Sequence, residues 1–67
     1  MMEIQVNGQW REFPDGTTVE GVLEALGTAV RGVAVAVDGV VVRRGEWPEA
    51  VVRKGASVDI LTAVQGG

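Results

Sequence analysis

The sequence predicts an α+β domain, and three observations lead to it. Two stretches of strand-like residues fold back around an Asn-Gly or Asp-Gly pair, the strongest short-range signal for a β-hairpin. Between them, residues 17–27 carry the 3.6-residue period of an amphipathic helix, bounded by start and stop signals. After the second hairpin and a short turn-rich stretch, residues 57–64 return to strand character and run directly into Gln65-Gly66-Gly67. Strands, one helix and more strands, with no second long helix, is the pattern of α+β architecture.

In chain order, Met2-Glu3-Ile4-Gln5-Val6 alternates apolar with polar, as a strand with one buried face does, and Asn7-Gly8 supplies the turn to Gln9-Trp10-Arg11-Glu12-Phe13. A two-residue loop sets Val6 opposite Gln9, Ile4 opposite Arg11 and Met2 opposite Phe13. Trp10 then falls on the other face beside Gln5 and is exposed; a bulge or a longer loop would turn it to the core instead. Pro14-Asp15-Gly16 is turn chemistry, and Thr17-Thr18-Val19-Glu20 reads as a capping box in which threonine and glutamate satisfy helix N–H groups reciprocally. Val19, Val22, Leu23 and Leu26 form one apolar stripe of two to three turns, and Gly27 is the C-terminal stop. Gly21 inside the helix is open to two readings, a close approach of helix and sheet or a weak helix start.

The run Val33-Ala34-Val35-Ala36-Val37 is apolar on both faces, as an interior strand is, and Asp38-Gly39 turns it into Val40-Val41-Val42-Arg43. Pairing 37 with 40 and 35 with 42 sets Val33, Val35, Val37, Val40 and Val42 on the core side and leaves Ala34, Ala36 and Val41 on the other. Arg44-Gly45-Glu46-Trp47-Pro48 is a turn-like insert with Trp47 half-buried, and Lys54-Gly55 marks a further turn. Along the last strand Val58, Ile60 and Thr62 face inward, and Leu61 and Ala63 join the outer face.

Composition narrows the chemistry. Sixty-seven residues make one small domain, expected over residues 1–64, with residues 65–67 as a tail beyond it. With Lys and Arg totalling 6 against 9 Asp and Glu, the net charge is −3, and the basic residues form no long run, which argues against a nucleic-acid phosphate footprint. The absence of Cys and His removes a disulfide framework, a thiolate nucleophile, and the commonest general base and metal ligands. The N-terminus lacks a basic flank followed by an apolar core, and no apolar run approaches the ~20 residues that span a bilayer, so no membrane partner and a cytoplasmic address are expected. Glu46 and Glu49 read as solvated surface rather than paired carboxylates for acid–base work, and Asp38 and Asp59 belong to no ligand-rich cluster. Arg44 and Trp47 read either as a partner contact or as a local cation–π pair. No catalytic residue, no metal ligand and no cofactor bound by the chain is expected.

A hairpin, a helix, a second hairpin and a last strand ending in Gly-Gly resembles the β-grasp fold of ubiquitin and of the sulfur-carrier proteins, over the whole chain. Residues 35–47 and 58–67 look most like the sulfur carriers of thiamin biosynthesis, with one departure, Arg43, where that family often has proline before the arginine matched to Arg44. The resemblance implies a mixed sheet of four to five strands on one main helix, and a carrier rather than a catalyst. It implies that a ThiF-like adenylating enzyme uses ATP and Mg²⁺ to adenylate the carboxylate of Gly67, that cysteine-derived sulfur converts the adenylate to a thiocarboxylate, and that thiazole synthase takes the sulfur. Gly66 and Gln65 would thread the tail into the partner, and Gln65 to Gly67 are expected to be the least ordered part of the backbone, with nothing apolar to bury. Carriers for other pathways, such as the small subunit of molybdopterin synthase or a ubiquitin-like modifier, share the fold and the Gly-Gly end, and a non-carrier interaction module remains a further alternative. Ala34, Ala36, Val41, Leu61 and Ala63 on the outer sheet face form the expected docking surface for the adenylating enzyme, the alternatives being a patch too small to matter or one covered by an oligomer contact.

Overall fold

The computed structural model describes residues 1–27 and 32–62. Among these residues five strands and one α-helix follow one another as β1 (Met2–Val6), β2 (Gln9–Phe13), α1 (Val19–Leu26), β3 (Val33–Val37), β4 (Val40–Val42), a 3₁₀ turn (Arg44–Glu46) and β5 (Ser57–Thr62). The strands form one mixed sheet in the order β2-β1-β5-β3-β4, with β5 parallel to β1 and antiparallel to β3.

Both hairpins fold in the register that two-residue turns dictate. Val6 pairs with Gln9, Ile4 with Arg11 and Met2 with Phe13, and the second hairpin pairs Val37 with Val40 and Val35 with Val42. Asn7 and Asp38 each take φ of 51°, the left-handed conformation that asparagine and aspartate tolerate and such a turn requires. Both then use their side chains on β5: Asn7 Oδ1 accepts from the Ile60 amide at 2.8 Å, and Asp38 Oδ1 accepts from the Ser57 amide at 2.9 Å. The Asn7 amide donates to the Val58 carbonyl at 2.9 Å. A regular parallel ladder would next pair the Ile60 amide with the Asn7 carbonyl; the turn swings that carbonyl away, and the side-chain oxygen takes its place.

Helix α1 starts one residue later than the capping box predicts. Thr18 is the N-cap, with Oγ1 accepting from the Gly21 amide at 3.1 Å, so the third helical position holds Gly21 rather than Glu20. Thr17 Oγ1 instead donates to the Pro14 carbonyl. Gly21 answers the question left by the sequence locally: a Cβ there would stand 3.1 Å from the Thr17 methyl, so the close neighbour is the preceding turn, not the sheet. The next orphan donors are met by the segment after β4, where the Val19 amide bonds to the Ala50 carbonyl at 2.9 Å and the Glu20 amide to the Trp47 carbonyl at 3.2 Å. Gly27 ends the helix with φ of 68°.

The core lies between α1 and one sheet face. Met2, Ile4, Val6, Phe13, Val35 and Val58 from the sheet meet Val19, Val22 and Leu23 of the helix, with Leu26, Val33, Val37, Val42 and Ile60 half-buried around them. Fully burying side chains such as Ile4 or Leu23 contributes about 1.5–3 kcal/mol each. Trp47 is 3% exposed and belongs to this core, not half-buried as its turn-like surroundings suggest, and its indole N–H donates to the Val42 carbonyl at 2.9 Å. Val52 and Ala56 from the same irregular segment are also buried. Two residues assigned to the core side are exposed: Val40, 67% exposed, and Thr62. An eight-residue helix is ~12 Å long, whereas five strands spread over ~19 Å, so a side chain at the rim points the right way with nothing above it. Strand β5 is described to Thr62; Val64 of its expected end lies outside the described residues.

Two measurements test this account. Asn7→Gly keeps the turn but removes the acceptor for Ile60 and should destabilise by about 1 kcal/mol, whereas Asn7→Ala also forces a Cβ-bearing residue into the left-handed region and should cost about 2 kcal/mol in urea unfolding. Equal stability of Asn7→Ala and the parent would refute the clamp on β5. Trp47→Phe leaves the Val42 carbonyl without its donor and should cost about 1–3 kcal/mol. Its remaining fluorescence, from Trp10, should be fully open to acrylamide; a shielded signal would contradict the exposed placement of Trp10.

Candidate functional site

Strand alternation sends every second side chain away from α1, and β3 makes that outer face shallow because its outward residues are alanines. Ala34 pairs with Leu61 across β5, and Ala36 pairs with Val41 on one side and Asp59 on the other, so Ala34, Ala36, Val41 and Leu61 share one patch over three neighbouring strands. Val41 is 71% and Leu61 66% exposed. Ala34 is exposed as well, but Ala36, expected in water, is half-buried between its neighbours. Three strands span ~10 Å between outer axes, so these side chains form one small contiguous surface.

The patch adjoins the point from which the C-terminal segment departs. Strand β5 is in register with β1 at Gln5–Ser57 and Val6–Val58, and then continues to Thr62 beside β3, where Thr62 pairs with Val33. Ala63, Gln65, Gly66 and Gly67, named by the sequence as part of the site, lie outside the described residues. The five residues that follow Thr62 in the sequence have a contour of at most ~16–18 Å.

Alternation along β5 also brings Asp59 into the patch, level with Ala36, a placement that the same period-2 reading implies but that a search for apolar residues passes over. Arg44, Glu46 and Glu49 are exposed, and Asp38 is occupied with the Ser57 amide. Among the described residues no group of three acidic, His or Cys side chains is arranged to hold a metal ion, and no helix is long and apolar enough to cross a membrane.

Comparison with known proteins gives this geometry a family. The family model of the ThiS family matches residues 4–67. The sulfur carrier protein ThiS of Escherichia coli is 30% identical over 66 residues, covering 98% of this chain and all of that protein. A thiazole synthase of Magnetococcus marinus is 35% identical over 66 residues, covering 98% of this chain but 20% of that protein, so the chain corresponds to a fifth of its length. The crystal structure of the thiamine biosynthesis protein ThiS of Geobacter metallireducens superposes with a TM-score of 0.85 at 29% identity, covering 98% of this chain and 100% of that one. The solution structure of the thiamine biosynthesis protein from the same organism gives 0.79 at 29% identity, with 98% and 88% covered. A five-stranded mixed sheet with one helix is the ubiquitin-like β-grasp fold of those structures. On sequence over nearly its whole length, and on fold, the chain belongs to the ThiS family, the small sulfur carriers of thiamine biosynthesis.

Proposed function

We propose that this chain carries sulfur as a thiocarboxylate on Gly67, formed by way of an acyl-adenylate, and delivers it for thiazole formation. The observation that carries the proposal is the exposed patch of Leu61, Ala34 and Val41 on the last strands before the Gly-Gly segment of a ThiS-family chain. A docking surface beside a narrow tail suits a body that is held by one enzyme while its end is worked on inside it.

The chemistry follows from the terminal group. A main-chain carboxylate, with a reference pKa of about 3.3–3.7, is ionised at neutral pH and resists nucleophilic attack. One of its oxygens attacks the α-phosphorus of ATP, pyrophosphate leaves, and the acyl carbon now bears AMP as a good leaving group. A sulfide-level sulfur nucleophile derived from cysteine attacks that carbon, the C–O bond to AMP breaks, AMP leaves, and the thiocarboxylate remains. ATP and Mg²⁺ belong to the ThiF-like adenylating enzyme, and the chain supplies the carboxylate, its access and the docking surface. Gly66 and Gly67, without Cβ atoms, let the reacting carbon be approached closely, and residues 63–67 include no Cys, Lys or His to intercept it.

Thiazole synthase is the proposed recipient. A protein of that name containing a segment similar to this whole chain supports the pairing, because donor and acceptor within one chain meet at high effective concentration. Dependence on ATP fits a cytoplasmic setting.

Incubated with its adenylating enzyme, ATP, Mg²⁺ and a sulfur source, the chain should gain the mass difference between sulfur and oxygen at Gly67, read by intact mass spectrometry. A chain extended by one residue should stay unmodified, and its conversion at the parental rate would sink the carrier proposal. Leu61→Asp should bind the adenylating enzyme at least about tenfold more weakly, since an apolar contact is replaced by a charge to be desolvated, while its unfolding free energy stays within about 0.5 kcal/mol of the parent. Unaltered binding, or unfolding, would show that the docking surface lies elsewhere or that Leu61 faces the core.

A further inference from the structure

The apolar patch occupies one end of the outer sheet face, and the opposite end is built from different chemistry. Trp10, on edge strand β2, is 58% exposed and sits opposite Gln5, while Glu3 and Glu12 face each other directly one step further along the same face. Together with Met1, Lys54 and Gly55 these three side chains line an open cavity of about 380 Å³. The Gly55 amide, bonded to the Glu3 carbonyl at 2.8 Å, holds the Lys54-Gly55 turn against β1.

Like charges directly opposite on antiparallel strands work against the pairing. Among the described residues neither Glu3 nor Glu12 is ion-paired: Lys54 shares their cavity without bridging to either, and the terminal ammonium of Met1 is turned to Asp15 at 3.8 Å. The imbalance extends over the sheet. Among the outward-facing strand residues described, Glu3, Glu12 and Asp59 are charged, and none is Lys or Arg. The outward strand residues are thus acidic, Lys54 of the adjoining turn is, among the described residues, the one basic side chain lining the corner cavity, and an exposed indole beside two carboxylates without an ion pair is complementary to a further basic group.

We infer that the Trp10–Glu3–Glu12 corner is a second anchoring point for the protein that docks on the apolar patch, and that it receives an arginine or lysine side chain of that partner over the Trp10 ring and between the two carboxylates. This rests on the docking part of the function proposed above and adds the far end of the face to it. Because Glu3 is level with Gly55, six residues before Leu61 on the β5 side, the two anchors lie ~20 Å apart along the strands, so the partner fitted by this face presents an apolar patch and a basic group at that spacing.

The test compares three variants with the parent for affinity to the adenylating enzyme at low and high salt, and for conversion at saturating enzyme. They are Glu3→Gln with Glu12→Gln, Trp10→Ala, and Glu46→Gln with Glu49→Gln, the last making the same change in net charge on another surface. The first two should bind about tenfold more weakly with conversion at saturation unchanged, and the first should lose part of the salt dependence. The third should change affinity by less than about twofold. Removing the opposed charges, or an indole already in water, leaves the fold intact, which thermal unfolding of each variant verifies. Equal weakening by both glutamine pairs, or parental affinity of Trp10→Ala, overturns the anchor. A parent that binds the enzyme but gains no sulfur refutes the carrier reading while the affinity series still decides the anchor; a parent that does not bind overturns the anchor.

Discussion

The arrangement depends on how β5 is held. The last strand enters the middle of the sheet, between two hairpins that each form from neighbours in sequence, and its contacts with β1 span more than fifty residues. Such contacts come only after a large loss of chain entropy, and parallel pairing repays it less per residue than antiparallel pairing. Two in-register pairs with β1 are few, whereas five join β5 to β3. Asn7 lengthens the short side: its amide and side chain grip Val58 and Ile60, while Asp38 grips Ser57 from the other flank. The residues that close the hairpins are thus the ones that fix β5, and the start of the strand is clamped from both sides. Its far end, at Thr62, is left beside β3 where the C-terminal segment departs.

A second constraint concerns the helix N-terminus. The first N–H groups of a helix have no acceptor within it, and here Thr18 Oγ1 meets one while the carbonyls of Ala50 and Trp47 meet two others. The irregular segment between β4 and β5 therefore completes α1, and in doing so seats Trp47, Val52 and Ala56 in the core. It is core and cap at once, although it has almost no regular structure.

This explains which parts were legible in the sequence. Asn-Gly and Asp-Gly turns fix register by local geometry, so both hairpins and the outward direction of Trp10, Ala34, Val41 and Leu61 followed from spacing alone. Alternation gives direction but not depth: Val40 points to the core side and is exposed for want of a neighbour above it, and Ala36 points outward and is half-buried. Trp47, Val52 and Ala56 have no shared period, so no template could collect them into the core. Only Thr17 fits the capping-box spacing, but either threonine can serve as an N-cap, and the start at Thr18 goes with the tertiary bonds to Ala50 and Trp47. The central place of β5 was not read from the sequence, because no local signal says which strand a last strand will join. At the site, the face was legible and Asp59 within it was not singled out.

The outer face also bears on how such a surface avoids its own copies. A sheet covered by one helix leaves its other face to water, and exposed Val41 and Leu61 there invite association. Two copies covering each other's outer faces would gather Glu3, Glu12 and Asp59 of both into one contact, with no outward basic strand side chain among the described residues to offset them. The like-charge penalty would fall on self-association and become an attraction toward a basic surface, so under the proposed docking one set of charges would act against a second copy and for a basic partner. On the proposed docking, small apolar side chains would provide the close contact, and the acidic residues around them would select a partner with a basic surface.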